Sequence, residues 1–373
     1  MLCYEYPPLG GGGGKVVAGL SAELARQGYQ IALLTMGFRG IPAIRVVDGV
    51  RVIGVPCLRL REEVCSPAEL STYLISARLS AFQLTRQIQF DLIHAHFIFP
   101  DGVIAYWLKK KTGLPYLITA HGSDVPGYNP HRFQLEHLLL KPFWRRVVEG
   151  AEAIVTASAH LEGLIRQQLP QQKVERIFNA ISPPDFRPRA KDPFRIVVIS
   201  RLLERKGIQY LLQALDGCEV PYQVDIIGAG PYQTALEKLA KQIRSAAVVT
   251  FHGWLDQDDA QFWQFLETAA IFVFPSAAEN FPMVLLEAMS ARLAIITTND
   301  SGCAEVVGDA ALLVPPQNAE AIRQALKQLR EHPALLEEYG ERAFQRLQTE
   351  FTWESAGSKY SALYHSYQKT PKA

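Results

Sequence analysis

The chain has 373 residues, 48% of them hydrophobic and 20% charged, with 38 Lys and Arg against 37 Asp and Glu. That length exceeds what a single hydrophobic core usually spans, so two domains are the default. The even balance of charge offers no broad basic field, which argues against nucleic acid as a partner.

Five cysteines (Cys3, Cys57, Cys65, Cys218 and Cys303) are scattered, with no C-x-x-C pair. This disfavours a disulfide framework or a zinc site and points to a reducing compartment. The start of the chain has neither a basic nor an apolar leader region, and no run approaches the length of a membrane span. The expected location is the cytoplasm, at most peripheral to the inner face of the membrane.

Residues 1–6 reach Pro7-Pro8 sooner than a first strand of ordinary length would. Either the chain begins inside that strand or the strand is a short sheet edge. Residues 10–14 are five consecutive glycines, after which residues 15–27 read as a helix. Lacking Cβ atoms, the loop can approach a phosphate or sugar closely, with helix N–H groups directed at the same space. The run is not G-x-G-x-x-G, so a dinucleotide site is not expected; a plain flexible turn is the alternative.

Strand signals at 30–35, 50–56, 92–95, 115–119 and 153–156 alternate with helical stretches at 67–88, 102–111 and 161–168. Such alternation predicts βαβ units and a parallel sheet. His94-Ala95-His96 ends one of these strands and His121-Gly122-Ser123-Asp124 another. No third and fourth ligands stand at useful spacing, so no metal site is expected. His121 suits hydrogen bonding to sugar hydroxyls, whereas His94 and His96 read as satisfied histidines near the core. Residues 137–146, HLLLKPFWRR, interleave apolar and basic side chains. The segment either packs as an amphipathic helix on its own domain or lies on an anionic membrane and presents a lipid-linked acceptor.

The proline-rich stretch around 182–188 marks a linker. A second βα series then follows, with strands at 194–200, 222–228, 247–251, 270–274 and 294–298. Ser200-Arg201-Leu202-Leu203-Glu204-Arg205-Lys206-Gly207 follows the first of them. Cations at a helix start oppose its dipole unless an anion is bound nearby, which favours a phosphate site here. Gly228-Ala229-Gly230-Pro231 is a tight turn, and Phe251-His252-Gly253-Trp254-Leu255 follows the next strand. Beyond the apolar run at 270–274 come a polar loop with Glu279, then Pro282 at a helix start, then Glu287 flanked by Leu286 and Ala288. Both carboxylates converge on one strand-to-helix turn, and a carboxylate among apolar neighbours needs a partner.

Glu279 and Glu287-Ala288-Met289, an E-x7-E followed by Ala-Met, resemble the nucleotide-sugar-dependent retaining glycosyltransferases of family 4. So do Arg201, Lys206 and Gly207 (R-x4-K-G) and the Gly228–Pro231 turn, and the resemblance covers nearly the whole chain. It implies a GT-B fold, with two Rossmann-like domains facing across a cleft: an acceptor domain, 1–185, with 353–373 returning as a helix to pack on it, and a donor domain, 190–352. It further implies that Arg201 and Lys206 stabilise the leaving diphosphate, that Glu279 and His121 contact the transferred sugar, and that Glu287 binds the ribose. Gly11, Gly12, Gly13, Gly230, Phe281, Met283, Val284 and Leu285 would complete the donor site. Asp124 is a candidate on the acceptor side, and residues 251–255 resemble the base-binding segment.

The implied partners are a nucleotide-diphosphate sugar and a glycan, lipid-linked or small-molecule acceptor, with no metal and no further cofactor. An epimerase, a phosphorylase or a non-catalytic nucleotide-sugar-binding module are the alternatives. Two departures from the family pattern stand out. Asn179-Ala180-Ile181-Ser182 replaces its Asn-Gly-hydrophobic-Asp turn, and Arg292 and Ala294 stand where a Gly and a Pro follow Glu-Ala-Met, removing a preferred helix cap.

Overall fold

A computed structural model describes residues 1–62, 65–128, 134–184 and 190–367; the side chains of 134–140 fall outside that description. The chain divides into two compact units: Met1–Ala180 with Trp353–Ala373, and Ile181–Thr352. The division falls within the Asn179-Ala180-Ile181-Ser182 turn, ahead of the proline-rich stretch, whose residues 185–189 are outside the described part.

The strands of the first unit are β1 (Ala32–Met36), β2 (Ile44–Val47), β3 (Val50–Val55), β4 (Ile93–His96), β5 (Tyr116–Ala120), β6 (Ala153–Thr156) and β7 (Val174–Arg176). β4 to β7 pair in parallel in chain order, β3 pairs in parallel with β1, and β2 closes the edge antiparallel. Residues 1–3 lie between β1 and β4. Leu2 bridges Leu34 and Ala95, donates its N–H to the His94 carbonyl at 2.9 Å and accepts the His96 N–H at 2.8 Å. These residues are therefore interior to the sheet rather than at its edge, and Leu2 and Cys3 are buried as that position requires.

The hairpin of β2 and β3 was not expected from apolar runs, because Ile44 and Val46 face solvent. Its signal is Asp48-Gly49, whose φ values of 48° and 80° suit a tight two-residue turn. The helices are α1 (Gly12–Arg26), α2 (Pro67–Gln87), α3 (Val103–Thr112), α4 (Gln134–Glu149) and α5 (Ala159–Gln168). α1 begins inside the glycine run rather than after it. α2 starts at a reciprocal cap: Ser66 Oγ accepts the Glu69 N–H at 3.3 Å and the Glu69 carboxylate accepts the Ser66 N–H at 2.6 Å. As expected, the terminal helix Trp353–His365 belongs to this unit. The Trp353 ring occupies the space a side chain at Gly19 of α1 would need, and Tyr360 and Tyr364 pack near Leu20 and Leu24.

In the second unit the strands are β8 (Asp192–Ile199), β9 (Gln223–Ile227), β10 (Val248–Gly253), β11 (Ala269–Phe274), β12 (Ala294–Thr298) and β13 (Leu312–Val314), ordered β10-β9-β8-β11-β12-β13 and parallel throughout. α6 (Ile208–Leu215), α7 (Gln233–Gln242), α8 (Ala260–Thr268), α9 (Met283–Ser290), α10 (Gly302–Val307), α11 (Ala319–Glu331) and α12 (Ala334–Glu350) cover it. Strand order reverses between β8 and β11, and open parallel sheets bind ligands at the carboxyl ends of such a pair. The missing glycine after α9 is made good by Arg292, which adopts the left-handed backbone itself (φ 54°). Its guanidinium stacks 3.8 Å from the Phe344 ring and pairs with Glu341 at 2.8 Å, offsetting the strain.

Candidate active site

The loops leaving β8 and β11 are distant in sequence and adjacent in space. Lys206, at the end of a short turn (Glu204–Lys206), forms an ion pair with Glu279 from the β11–α9 loop, and both side chains are almost covered, at 12% and 11% exposure. Ser276 Oγ donates to the same carboxylate oxygen, Oε1, at 2.6 Å, and the Ser276 carbonyl accepts Thr298 Oγ1 at 2.7 Å. Glu279 Oε2 has no hydrogen-bond partner among the described residues. Glu279 thus supplies the anion for Lys206, one of the three cations in residues 201–206. Arg201 lies at the exit of β8 with its side chain exposed and no ion-pair partner among the described residues, so its charge is open to a ligand.

The backbone leaves little freedom here. Gly207 has φ 74°, and a methyl group on it would run into the Pro275 carbonyl. Arg205 is held by the neighbouring loop, its carbonyl accepting the Ala277 N–H at 3.0 Å and its Nη1 donating to the Ala278 carbonyl at 3.1 Å. Gly302 of α10 packs its Cα face on the Asn280 carbonyl and donates its N–H to the Glu279 carbonyl at 3.0 Å. Its supporting part was not foreseen, because nothing local in Ser301-Gly302-Cys303 names its partner.

Glu287 is 4% exposed on α9, and its required partner is Gln257, whose amide donates to Glu287 Oε1. Gln257 is fixed in turn by Trp263, whose ring N–H donates to its carbonyl at 2.7 Å. Pro282 caps α9 from outside rather than opening its first turn. Of the residues expected to line this end, Met283 and Val284 are partly accessible. Leu285 is buried with its N–H turned to the Pro282 carbonyl at 3.0 Å, and Phe281 packs 5.7 Å from the Phe351 ring.

Gly230 is fitted against the Leu202 backbone and Gly228 (φ 137°) against the Ser200 carbonyl, so this turn locks the β8 loop. Leu202 and Ala229 share an N–H to carbonyl bond at 3.0 Å. In residues 251–255, at the end of β10, His252 Nε2 sits 2.7 Å from Asp225, which also accepts from Arg195 Nε at 2.7 Å, while Trp254 is exposed.

The first unit gathers its candidates at the corresponding place in its own sheet, the carboxyl ends of residues 1–3, β4 and β5. Gly10 (φ 86°) donates to the Glu62 carbonyl at 2.8 Å, and the Gly11 N–H lies 3.4 Å from the Glu5 carboxylate. Gly12 and Gly13 form the first turn of α1. A Cβ on Gly13 would stand 2.7 Å from the Phe97 ring, and one on Gly14 would stand 2.9 Å from the Glu5 carbonyl. The glycines therefore answer to Glu5 and Phe97, neither of them a candidate in the sequence reading. Phe97 carries a strained φ of 80° at the exit of β4 and lies 4.4 Å from the His121 ring.

Burial depresses His121 to about 4 and holds His94 and His96 well below the ordinary histidine range. His94 is satisfied as expected, by Tyr364 at 2.6 Å and Thr119 at 2.8 Å. His96 is not, because its Nε2 has no hydrogen-bond partner among the described residues. Asp124 is a backbone clamp: its carboxylate accepts the Ile98 N–H at 2.7 Å and the Gly122 N–H at 2.9 Å, while burial raises it above the usual range.

Within residues 137–146, Lys141, Phe143, Arg145 and Arg146 are exposed, whereas Trp144 is buried and donates to the Asp124 carbonyl at 3.1 Å. The side chains of 137–140 lie outside the described residues. Among the described residues no His, Cys, Asp or Glu cluster is placed to hold a metal, and no helix is long and apolar enough to cross a membrane.

The structure is similar to sucrose-phosphate synthase from Thermosynechococcus elongatus (TM-score 0.78, 20% identity, covering 95% of this chain and 93% of that one). It is also similar to Anabaena Alr3699/HepE in complex with UDP-glucose (TM-score 0.73, 15% identity, 98% of each chain). These are GT-B glycosyltransferases, and the chain has that fold. In sequence it is 29% identical over 301 residues to the putative teichuronic acid biosynthesis glycosyltransferase TuaC of Bacillus subtilis (strain 168), covering 77% of this chain and 72% of TuaC. The family profile for Glycosyltransferase Family 4 matches residues 10–185, and that for Glycosyl transferases group 1 matches 184–346. The protein is a glycosyltransferase. It belongs to the group 1, family 4 type.

Proposed function

We propose that the protein transfers a sugar from a nucleotide-diphosphate sugar to a hydroxyl of a glycan, lipid or small-molecule acceptor, with retention of anomeric configuration and without a metal. The observation that carries this reading is the Lys206–Glu279 pair at the β8/β11 switch point, on the same β8 loop as the exposed Arg201. As the glycosidic bond breaks, negative charge grows on the departing diphosphate. Fixed cations in a nearly covered site lower that barrier without moving a proton. Lys206 and Arg201 supply the cations, with Met283 and Val284 N–H groups at the start of α9 as further donors. Ser276 and Lys206 hold Glu279 by one oxygen, which leaves Oε2 to accept a sugar hydroxyl.

Glu287, steadied by Gln257, receives the ribose hydroxyls. In the first unit the glycine run, folded against Glu5, would approach the donor, and His121 would meet a sugar hydroxyl. That HepE, a neighbour of the same fold, was solved with UDP-glucose supports a nucleotide-sugar donor here. Exposed Lys141, Phe143, Arg145 and Arg146 favour peripheral contact with an anionic membrane through residues 137–146. Sedimentation with anionic against neutral vesicles tests that contact.

The test of the activity is nucleotide release from a panel of UDP- and GDP-sugars, with and without bacterial membrane extract. Acceptor-dependent release is expected. Epimerised donor, or binding with no turnover, would replace this reading with an epimerase or a binding module.

A further inference from the structure

His96 is fully buried. Its Nδ1 lies 3.4 Å from His121 Nε2, and its Nε2 has no hydrogen-bond partner among the described residues. The His94 ring stacks against it with centroids 4.1 Å apart, and the His121 ring is 5.6 Å away. Burial keeps both members of the His96–His121 pair neutral, so only one of the two facing nitrogens carries a proton.

If His121 supplied that proton, His96 would have to carry its own on Nε2. An N–H would then point into the interior with nothing to accept it, and orphaned N–H groups are the rarer and costlier kind of buried defect. If His96 supplies it from Nδ1, the orphan is a ring lone pair, which the interior tolerates better. We propose that His96 is a positioning residue that selects the tautomer of His121: His96 Nδ1–H donates to His121 Nε2, and His121 holds its own proton on Nδ1. The consequence for catalysis rests on the reading of His121 given above, since His121 then meets a sugar hydroxyl through Nδ1 as a donor. The tautomer itself does not depend on that reading.

The test is nitrogen-15 NMR of the intact protein labelled in its histidine rings, at neutral pH, with the His121 signals assigned by their loss in His121→Gln. The expected spectrum has a protonated Nδ1 and an unprotonated, hydrogen-bonded Nε2 on His121. A protonated Nε2 on His121 would overturn the proposal. In His96→Leu, His121 should revert to the Nε2–H form that free histidine prefers, with kcat about tenfold lower and donor KM little changed. His96→Asn, whose amide N–H can take the place of Nδ1, should restore both. A His96→Leu protein in which His121 keeps its proton on Nδ1 would also sink the idea. The expected tautomer together with normal turnover in His121→Gln would uphold the role of His96 and remove His121 from the mechanism.

Discussion

The two units meet the same topological problem with opposite electrostatics. Each gathers its candidates where strand order reverses, but the second unit holds Lys206 against Glu279 as a charged pair, while the first buries His94, His96 and His121, whose side chains hydrogen-bond to hydroxyls and to one another. A cation survives near the interior when a counter-ion compensates its desolvation, as Glu279, itself held by Ser276, does for Lys206. Without one, a titratable ring gives up its proton instead. The difference teaches that the second unit keeps a compensated charge at its switch point, whereas the first keeps neutral hydrogen-bonding rings there.

The comparison breaks most sharply at Lys206. Lys206→Ala should lower turnover by about a hundredfold or more, because it removes a fixed cation and leaves Glu279 uncompensated. Near-normal turnover in a steady-state assay would take Lys206 out of the mechanism. Next comes the backbone beneath it. Gly207→Ala forces a side chain into a left-handed turn against the Pro275 carbonyl and should cost about 2 kcal/mol or more of stability, read by denaturant melting. An unchanged midpoint would mean that the turn can relax.

Gln257→Leu should raise donor KM by about tenfold with a smaller change in kcat, since it strips Glu287 of its amide partner without touching the charge pair. A fall in kcat with unchanged KM would contradict the ribose role. The smallest effect is on pH dependence in the first unit. His121 is depressed in the folded state to about 4, below its unfolded value, so the unfolded chain binds more protons between about pH 6.5 and 4. That contribution to stability is present above pH 6.5 and is lost as pH falls through the window. His121→Gln should therefore show a shallower acid limb in thermal melts across that range, and parallel limbs would argue against a neutral buried His121.

Much of this was legible before any coordinates. The β8 and β11 strands announce themselves as apolar runs, and Glu287 between Leu286 and Ala288 declares its need for a partner. The cations of residues 201–206 likewise demand an anion. Other features were illegible for definite reasons. Glu5 looks like an ordinary polar residue until the glycine run folds against it, and Gln257 sits in a loop whose composition suggests only solvent. Phe97 reads as strand continuation, yet its positive φ turns the ring toward Gly13 and His121.

Local chemistry alone settled that the chain alternates strands and helices in two series, and that charged residues cluster where strands end, because hydrophobic period and turn residues act over a few positions. Which groups face one another was decided by the tertiary fold: Lys206 with Glu279, Gln257 with Glu287, His96 with His121. Each pair joins segments that end or follow different strands, and strand order in a parallel sheet is set by how crossovers pack rather than by anything written within one segment.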